Sequence, residues 1–319
     1  MRKRILVTGG NGYVGRDLVR LLYNDHDVCI IDTVRFGQIR FLDDELSKVR
    51  FERTDLRDAA AVSQVMSDFA PDIVVHLAAI HYIPECEQNP GLAVETNVTG
   101  TLNLLLAAPQ GARFVFASSG AVYRPDDLPH NEATAVVEPS DVYGFTKLHG
   151  EHYVRYFAQQ KRLSAVVVRL FNVVGPGETN AHLLPEIVAQ LKAGRRTIKL
   201  GNMWPKRDYI HVQDASRGFR ATALDSDVRS GETVTVNLGT SRAYSVTEIV
   251  RKLRGASRID FSCEEDQSRM RKVDRPYLAA DISEIKRVFG WEPKHSIDDA
   301  LADLWTNPEL ASGLMAKYQ

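Results

Sequence analysis

The chain reads as a doubly wound α/β protein built on a parallel sheet, and three observations predict it. Short apolar, β-branched runs alternate with longer helical patterns through most of the sequence. Several of those runs are nearly continuous in hydrophobicity, as strands covered on both faces must be. A strand pattern, a glycine-rich turn and a helical pattern open the chain in that order.

In chain order the strand candidates are RILVT (4–8), DVCII (27–31), VRFER (49–53), DIVVHL (72–77), RFVFAS (113–118), AVVVRL (165–170) and TVTVNL (233–238). Amphipathic stretches at 58–69 and 144–160 are long enough to be crossover helices, and this alternation is the signature of a parallel α/β sheet. After residue 172 the texture changes. NVVGPGETN is rich in Gly, Pro and Asn and reads as a loop leaving the sheet. A helix is predicted from His182 to Ala193, followed by the irregular stretch GNMWPKRDY. Ser245 with Glu248 and Ser296 with Asp299 form capping-box patterns that should each start a helix. The expected division is a first domain over 1–172, with a return of about 210–240 to it, and a smaller C-terminal α/β substrate-binding domain over 173–319.

Composition narrows the function classes. Of 319 residues, 44% are hydrophobic and 25% charged, and the formal net charge is -1. That balance gives no bulk attraction to nucleic acid or to an anionic membrane, so any phosphate must be held by local geometry. Cys29, Cys86 and Cys263 show no paired spacing, which fits neither a disulfide scaffold nor a zinc site. The opening MRKRILVTGG lacks the apolar stretch of a secretory signal, and a cytoplasmic protein is expected.

RILVT runs directly into a turn with Gly9, Gly12, Tyr13, Val14 and Gly15, and GRDLVRLLY follows as a helix. Glycines at these positions permit a tight turn and close approach of the backbone to a pyrophosphate. The helix then offers its free N–H groups and the positive end of its dipole. Set between strand and helix, this pattern is the Rossmann-type dinucleotide fingerprint. Asp32 ends the second strand, where a carboxylate accepts hydrogen bonds from the adenosine ribose. It would repel a 2′-phosphate, so NAD is expected rather than NADP, although Arg35 lies close by. Asp55, past the third strand, is either a contact to the adenine edge or a plain turn residue.

Tyr143 and Lys147 stand four apart on a predicted helix and therefore share a face. A tyrosine, with a pKa near ~10, is a poor base at neutral pH. Positive charge from Lys147 and an oxidised nicotinamide should favour the phenolate and let it take a hydroxyl proton as hydride leaves the same carbon. Ser118 and Ser119 end the strand RFVFA beside the cofactor crevice, and Ser119 is placed to hydrogen-bond the reacting oxygen.

With these residues in place the chain resembles the extended short-chain dehydrogenases/reductases, in the NAD-dependent epimerase/dehydratase family that acts on nucleotide sugars. The resemblance covers nearly the whole chain. It rests on TGGNGYVG, Asp32, Asp55 with Leu56, HLAA (76–79), ETNVTGT (95–101), SSGAVY, YGFTK, RLFNVVGPG, RDYIHVQD, NLGTSRAYSV and DRPYLAADIS. It implies Ser119, Tyr143 and Lys147 as the catalytic set. It also implies cofactor contacts at the glycine turn, Asp32, Asp55, Leu56, Leu77, Ala78, Ala79, Asn97, Tyr143 and Lys147, with Asn97 supporting the active-site geometry. His81, Ser119, Gly120, Tyr143, Asn172, Arg207 and Arg275 would meet the substrate, the two arginines through its diphosphate.

Reactions in this family share oxidation at sugar C4 and then diverge. Its 4,6-dehydratases place an Asp-Glu pair directly after the catalytic hydroxyl, and its decarboxylating members a glutamate at the second of those positions. Here Gly120 and Ala121 stand there, and neither can move a proton. The resemblance therefore implies a UDP-sugar 4-epimerase acting on a UDP-hexose or UDP-hexuronic acid, with no metal and in a homodimer. Two departures bear on this. Arg124 replaces the glycine usual after Val-Tyr, and His81, Tyr82, Glu85 and Cys86 occupy the loop that approaches nicotinamide and sugar. That loop offers acid/base groups for dehydration, reduction or epimerisation at another carbon. A non-catalytic NAD-sensing protein is the remote alternative. His149 with His152 as a metal pair, and Trp204 as a base-stacking residue, are weaker signals with plain surface or packing explanations.

Overall fold

The computed structural model describes residues 1–178, 180–224, 228–270 and 276–318. In chain order the strands are β1 (Arg4–Thr8), β2 (Asp27–Asp32), β3 (Val49–Arg53), β4 (Ile73–His76), β5 (Arg113–Ser119), β6 (Ser164–Leu170), β7 (Asn172–Val174), β8 (Thr197–Leu200), β9 (Lys206–His211), β10 (Thr233–Leu238), β11 (Ala243–Ser245), β12 (Ser262–Glu265) and β13 (Tyr277–Leu278). Seven of them form one parallel sheet in the order β3-β2-β1-β4-β5-β6-β10. The doubly wound parallel architecture expected from the sequence is the one observed.

Alternation within β1 explains why its apolar run is unbroken. Ile5 and Val7 join the core on one face of the sheet, and Leu6 joins the core on the other. Helices Tyr13–Arg20 and Val212–Leu224 cover the first face, the latter through Ala215 and Phe219. Helices Ala59–Phe69, Gly100–Ala107 and Val142–Gln160 cover the second, through Val62, Met66, Leu104 and Val154. A strand covered on both sides has no face left for polar residues.

A third core lies in the C-terminal part, where Ile187, Val188, Leu253 and Leu301 pack with Tyr209 of β9. Both predicted capping boxes form. Ser245 Oγ accepts from Glu248 N at 3.2 Å while Glu248 Oε2 accepts from Ser245 N at 2.8 Å, and Ser296 pairs with Asp299 in the same way. Each cap is worth about 1 kcal/mol, enough to fix where these helices begin.

Two stretches read as irregular turn out to be strands. NVV within the expected loop is β7, and the end of GNMWPKRDY opens β9. The two pair in parallel, Asn172 with Tyr209 and Val174 with His211, and β9 also pairs with β11 and β13. Three residues are too few to show periodicity, and β7 exists because β9 supplies its partner.

Candidate active site

The C-terminal ends of the parallel strands converge on one cavity of about 1570 Å³. Single drug-sized ligands occupy roughly 300–1,000 Å³, so this space suits two elongated ligands side by side. It lies where a doubly wound sheet places its ligands, outside the carboxyl ends of the strands.

At the end of β1 the turn is packed to contact. Gly9 has φ +69°, and a Cβ on it would sit 2.8 Å from the Ala78 nitrogen. A Cβ on Gly15 would lie 2.1 Å from the Gly9 carbonyl oxygen, so the helix could not start where it does. That helix has Gly12 at its N-cap with no side chain bonded to its first amides. This cradle accepts a pyrophosphate, and Gly9, Gly12, Tyr13, Val14 and Gly15 all line it.

Asp32 ends β2 and lines the same cavity. Its carboxylate accepts one backbone bond at each oxygen, from Asn11 N at 3.1 Å and Val34 N at 2.8 Å. Burial raises its pKa against the pull of those bonds. Each oxygen keeps a lone pair for a ribose hydroxyl. The residues present thus fit a dinucleotide with free ribose hydroxyls. Arg35, which also lines the cavity, is ion-paired to Glu85 of the 80–86 loop. Asp55 lines the cavity as well, but its carboxylate is gripped by the Arg57 side chain and by Arg57 N at 2.9 Å, and Arg57 lowers its pKa. Leu56, Leu77, Ala78 and Ala79 complete that wall.

Asn97 stands one layer further back. Its Oδ1 accepts from Ile80 N at 2.8 Å, and its Nδ2 donates to Ile80 O at 2.9 Å and to Thr146 Oγ1 at 3.0 Å. It is buried, and it ties the 80–86 loop to helix Val142–Gln160 instead of facing the cavity where a cofactor contact would lie. Sequence reasoning missed His76, which has the same kind of task. Its ring bridges Thr8 Oγ1 at 2.7 Å and Thr101 Oγ1 at 2.8 Å, and burial lowers its pKa.

Ser119, Tyr143 and Lys147 come together as expected, all lining the cavity. The phenol of Tyr143 is hydrogen-bonded to Ser119, and the residue is half-buried in the cavity wall. Lys147 Nζ lies 5.8 Å from the Tyr143 ring centre and donates to Ala117 O at 2.8 Å. Ser118 plays another part. Its hydroxyl donates to Glu151 at 2.6 Å, and Glu151 holds Arg169 in a buried two-pronged pair at 2.9 and 2.8 Å.

Burial pushes the Tyr143 phenol above its ordinary range, outweighing the Ser119 bond that lowers it. Burial also pulls the Lys147 pKa down from 10.5 to about 7. Both shifts favour the neutral forms, and positive charge placed beside the phenol would oppose the one at Tyr143.

Of the remaining expected contacts, Asn172, Arg207 and His81 line the cavity, and Arg207 Nη1 donates to Lys206 O at 2.9 Å. Gly120 is buried against Phe171, where a Cβ would meet its ring at 3.2 Å, and Ala121 faces the cavity in its place. Arg275 lies outside the described residues. The second half of the expected 80–86 loop is a short helix, Ile83–Gln88, on which Cys86 is buried, donates to Ile80 O at 3.4 Å and has its thiol pushed up to about 11 by burial. With Glu85 paired to Arg35, the loop's remaining polar side chains toward the cavity are those of His81 and Tyr82. Trp204 is 52% exposed and lies off the cavity wall. His149 and His152 are exposed, and neither joins a three-residue metal-ligating group. Arg124 pairs with Glu138 at 3.8 Å.

Comparison with known proteins agrees with this geometry. The model of the NAD dependent epimerase/dehydratase family matches residues 5–239. A UDP-glucose 4-epimerase from Lactobacillus helveticus is 32% identical, covering 95% of this chain and 96% of its own. Among solved structures, a Thermotoga maritima UDP-glucose 4-epimerase with UDP-glucose is 26% identical, with a TM-score of 0.84 over 96% of this chain and 98% of the other. A Bifidobacterium longum UDP-glucose 4-epimerase in complex with NAD+ and UDP is equally similar in fold, TM-score 0.84, at 26% identity over 96% and 99% of the two chains.

The burial of Lys147 has a measurable sign. Below about pH 7 both folded and unfolded chains carry its proton, and the fold bears the full cost of enclosing the charge, on the order of several kcal/mol at about 1.4 kcal/mol per unit. Toward pH 10.5 both states lose the proton and the cost fades. Lys147→Met should therefore raise the melting temperature of the cofactor-free protein by several degrees near pH 6.5, and by less near pH 9.5. Differential scanning calorimetry at the two pH values checks this; a variant less stable than the parent at both would contradict the assignment.

Proposed function

The chain belongs to the NAD dependent epimerase/dehydratase family, and from that premise we propose that it is an NAD-dependent nucleotide-sugar 4-epimerase acting on a UDP-hexose or UDP-hexuronic acid. Relatives with this activity by name match nearly the full chain. One observation carries the reaction type: the proton-transfer set Ser119, Tyr143 and Lys147 is followed by Gly120 and Ala121, which hold no acid or base.

The glycine turn and Asp32 hold the cofactor, with Leu56, Leu77, Ala78 and Ala79 along its wall. When bound, NAD supplies reversible hydride acceptance at sugar C4 and a positive charge near the phenol. The protein's own share is the proton. Tyr143, on the cavity wall and bonded to Ser119, takes the C4 hydroxyl proton as the carbon is oxidised and gives it back after the sugar has turned. Ser119 holds the reacting oxygen in line with the phenol. Burial raises the pKa of the phenol, and positive charge from a bound cofactor would oppose that rise. With glycine and alanine next to Ser119, no group stands there to expel the C6 substituent or assist loss of carbon dioxide, and reduction back to the alcohol is the open course. Asn172, Arg207, His81 and Arg275 are the proposed substrate contacts, the arginines suited to a diphosphate.

A homodimer is the proposed assembly. Phe145 and Tyr156 lie eleven residues apart on helix Val142–Gln160, three turns along one face, and both are at least half exposed. Leu92, Val94 and Leu106 on neighbouring segments are exposed as well. Covering these residues on a second copy is worth about 25 cal/mol per Å². A cytoplasmic setting is proposed from the three free thiols, two of them buried. Among the described residues no helix is long and apolar enough to cross a membrane.

Incubation with a panel of nucleotide sugars, followed by chromatography and mass spectrometry, should give a product of unchanged mass and new retention, without net NADH formation. Loss of water or carbon dioxide would overturn the 4-epimerase reading. Tyr143→Phe should cut turnover by more than about a thousandfold while leaving NAD bound, as measured in the heat-released supernatant. Sedimentation equilibrium should return twice the chain mass, and Phe145→Glu should lower it to one.

A further inference from the structure

His81, Glu178 and His182 reach one point from two places in the chain. His81 comes from the loop after β4, Glu178 from the loop after β7, and His182 is the N-cap of helix Leu183–Lys192. Their ligand atoms all lie within 4.8 Å of one another, and all three residues line the cavity. His182 Nδ1 is 3.3 Å from Glu178 Oε2, and His81 Nε2 is 4.0 Å from Glu178 Oε1. We propose that these residues form a binding site for a divalent transition metal of the Zn2+ or Co2+ type, with its remaining coordination positions open to the cavity.

Geometry and donor chemistry support the assignment. A tetrahedral metal at about 2.1 Å from each ligand holds ligand atoms roughly 3.4 Å apart. The two histidines face opposite oxygens of the Glu178 carboxylate, His182 Nδ1 at 3.3 Å from Oε2 and His81 Nε2 at 4.0 Å from Oε1, so a small closing movement of His81 or a carboxylate that binds through both oxygens brings all three onto one ion. The His81 side chain is 38% exposed and has room for that movement. Two imidazole nitrogens with one carboxylate oxygen suit zinc, cobalt, nickel or iron. Magnesium and calcium instead call for oxygen ligands throughout.

His81 Nε2 lies 3.0 Å from Asn180 Nδ2, a contact that a bound metal would replace. The surroundings fix the donors in place. Asn180 N donates to Glu178 Oε1 at 3.1 Å, and Gly177 next to it is bonded to Pro308 O and to the Arg40 side chain. The His182 ring packs at 5.7 Å from His81 and 5.5 Å from Tyr82.

A metal here would pin the loop after β4 to the loop after β7, two walls of the cavity, and would offer its open position to water or to a ligand phosphate oxygen. The site stands on its own geometry and does not depend on the 4-epimerase reading. Holoprotein dialysed against chelator and then freed of it should take up one Zn2+ or Co2+ per chain, by calorimetry and by elemental mass spectrometry, and should take up no Mg2+. His81→Ala, Glu178→Gln and His182→Ala should each weaken uptake by more than about a hundredfold, beyond the loss typical of an outer-shell change. The double substitution His149→Ala with His152→Ala should leave uptake unchanged, and circular dichroism should show every variant folded. Absence of uptake, or uptake insensitive to the three single substitutions, would overturn the proposal. So would uptake lost with His149 and His152.

Discussion

Between helix Val142–Gln160 and strand β5 there is no room for a side chain at two helix positions. A Cβ on Gly144 would lie 2.6 Å from the Ala121 oxygen, and one on Gly150 would lie 2.4 Å from the Phe116 ring. Alanine at either place would gain about 1 kcal/mol of helix propensity, yet the close approach is what the site needs. It brings the Tyr143 phenol to Ser119 and the Lys147 ammonium to the Ala117 carbonyl at the end of β5. Burial there moves both pKa values toward the neutral form.

A second layer keeps the first in place. Asn97 clamps the Ile80 backbone to Thr146, and His76 spans Thr8 and Thr101, so the wall formed by the ends of β1 and β4 is tied to the helix that carries Tyr143. Beneath the catalytic helix, Glu151 and Arg169 form a buried ion pair to which Ser118 donates. Adjacent serines on β5 thus separate into one that faces the cavity and one that faces the core, as the twofold alternation of a strand requires. Such buried pairs are costly to break one side at a time.

Much of this could be read from the residues in order. The parallel sheet was legible because strands buried on both faces leave unbroken apolar runs. The glycine turn and Asp32 were legible because backbone contact with a phosphate and a ribose demands those residue types at those places. Tyr143 and Lys147 follow from helical periodicity. What stayed hidden depends on contacts across long stretches of chain. Asn97 meets Ile80 seventeen residues away, and His81 meets Asn180 ninety-nine residues away, and no local pattern announces either. The electrostatic balance at this pair stayed hidden for a related reason. A sequence shows two groups on one helix face, but it does not show that burial pulls on the pKa of both.

Oxidation at C4 and return of the same hydride within one site is tested most directly by the fate of the C4 hydrogen. Substrate carrying deuterium at C4 should be converted to its epimer with the label retained at C4, with none released to water and none found in free NADH. Loss of the label to solvent during turnover, or an epimerised product whose C4 hydrogen comes from water, would contradict the account.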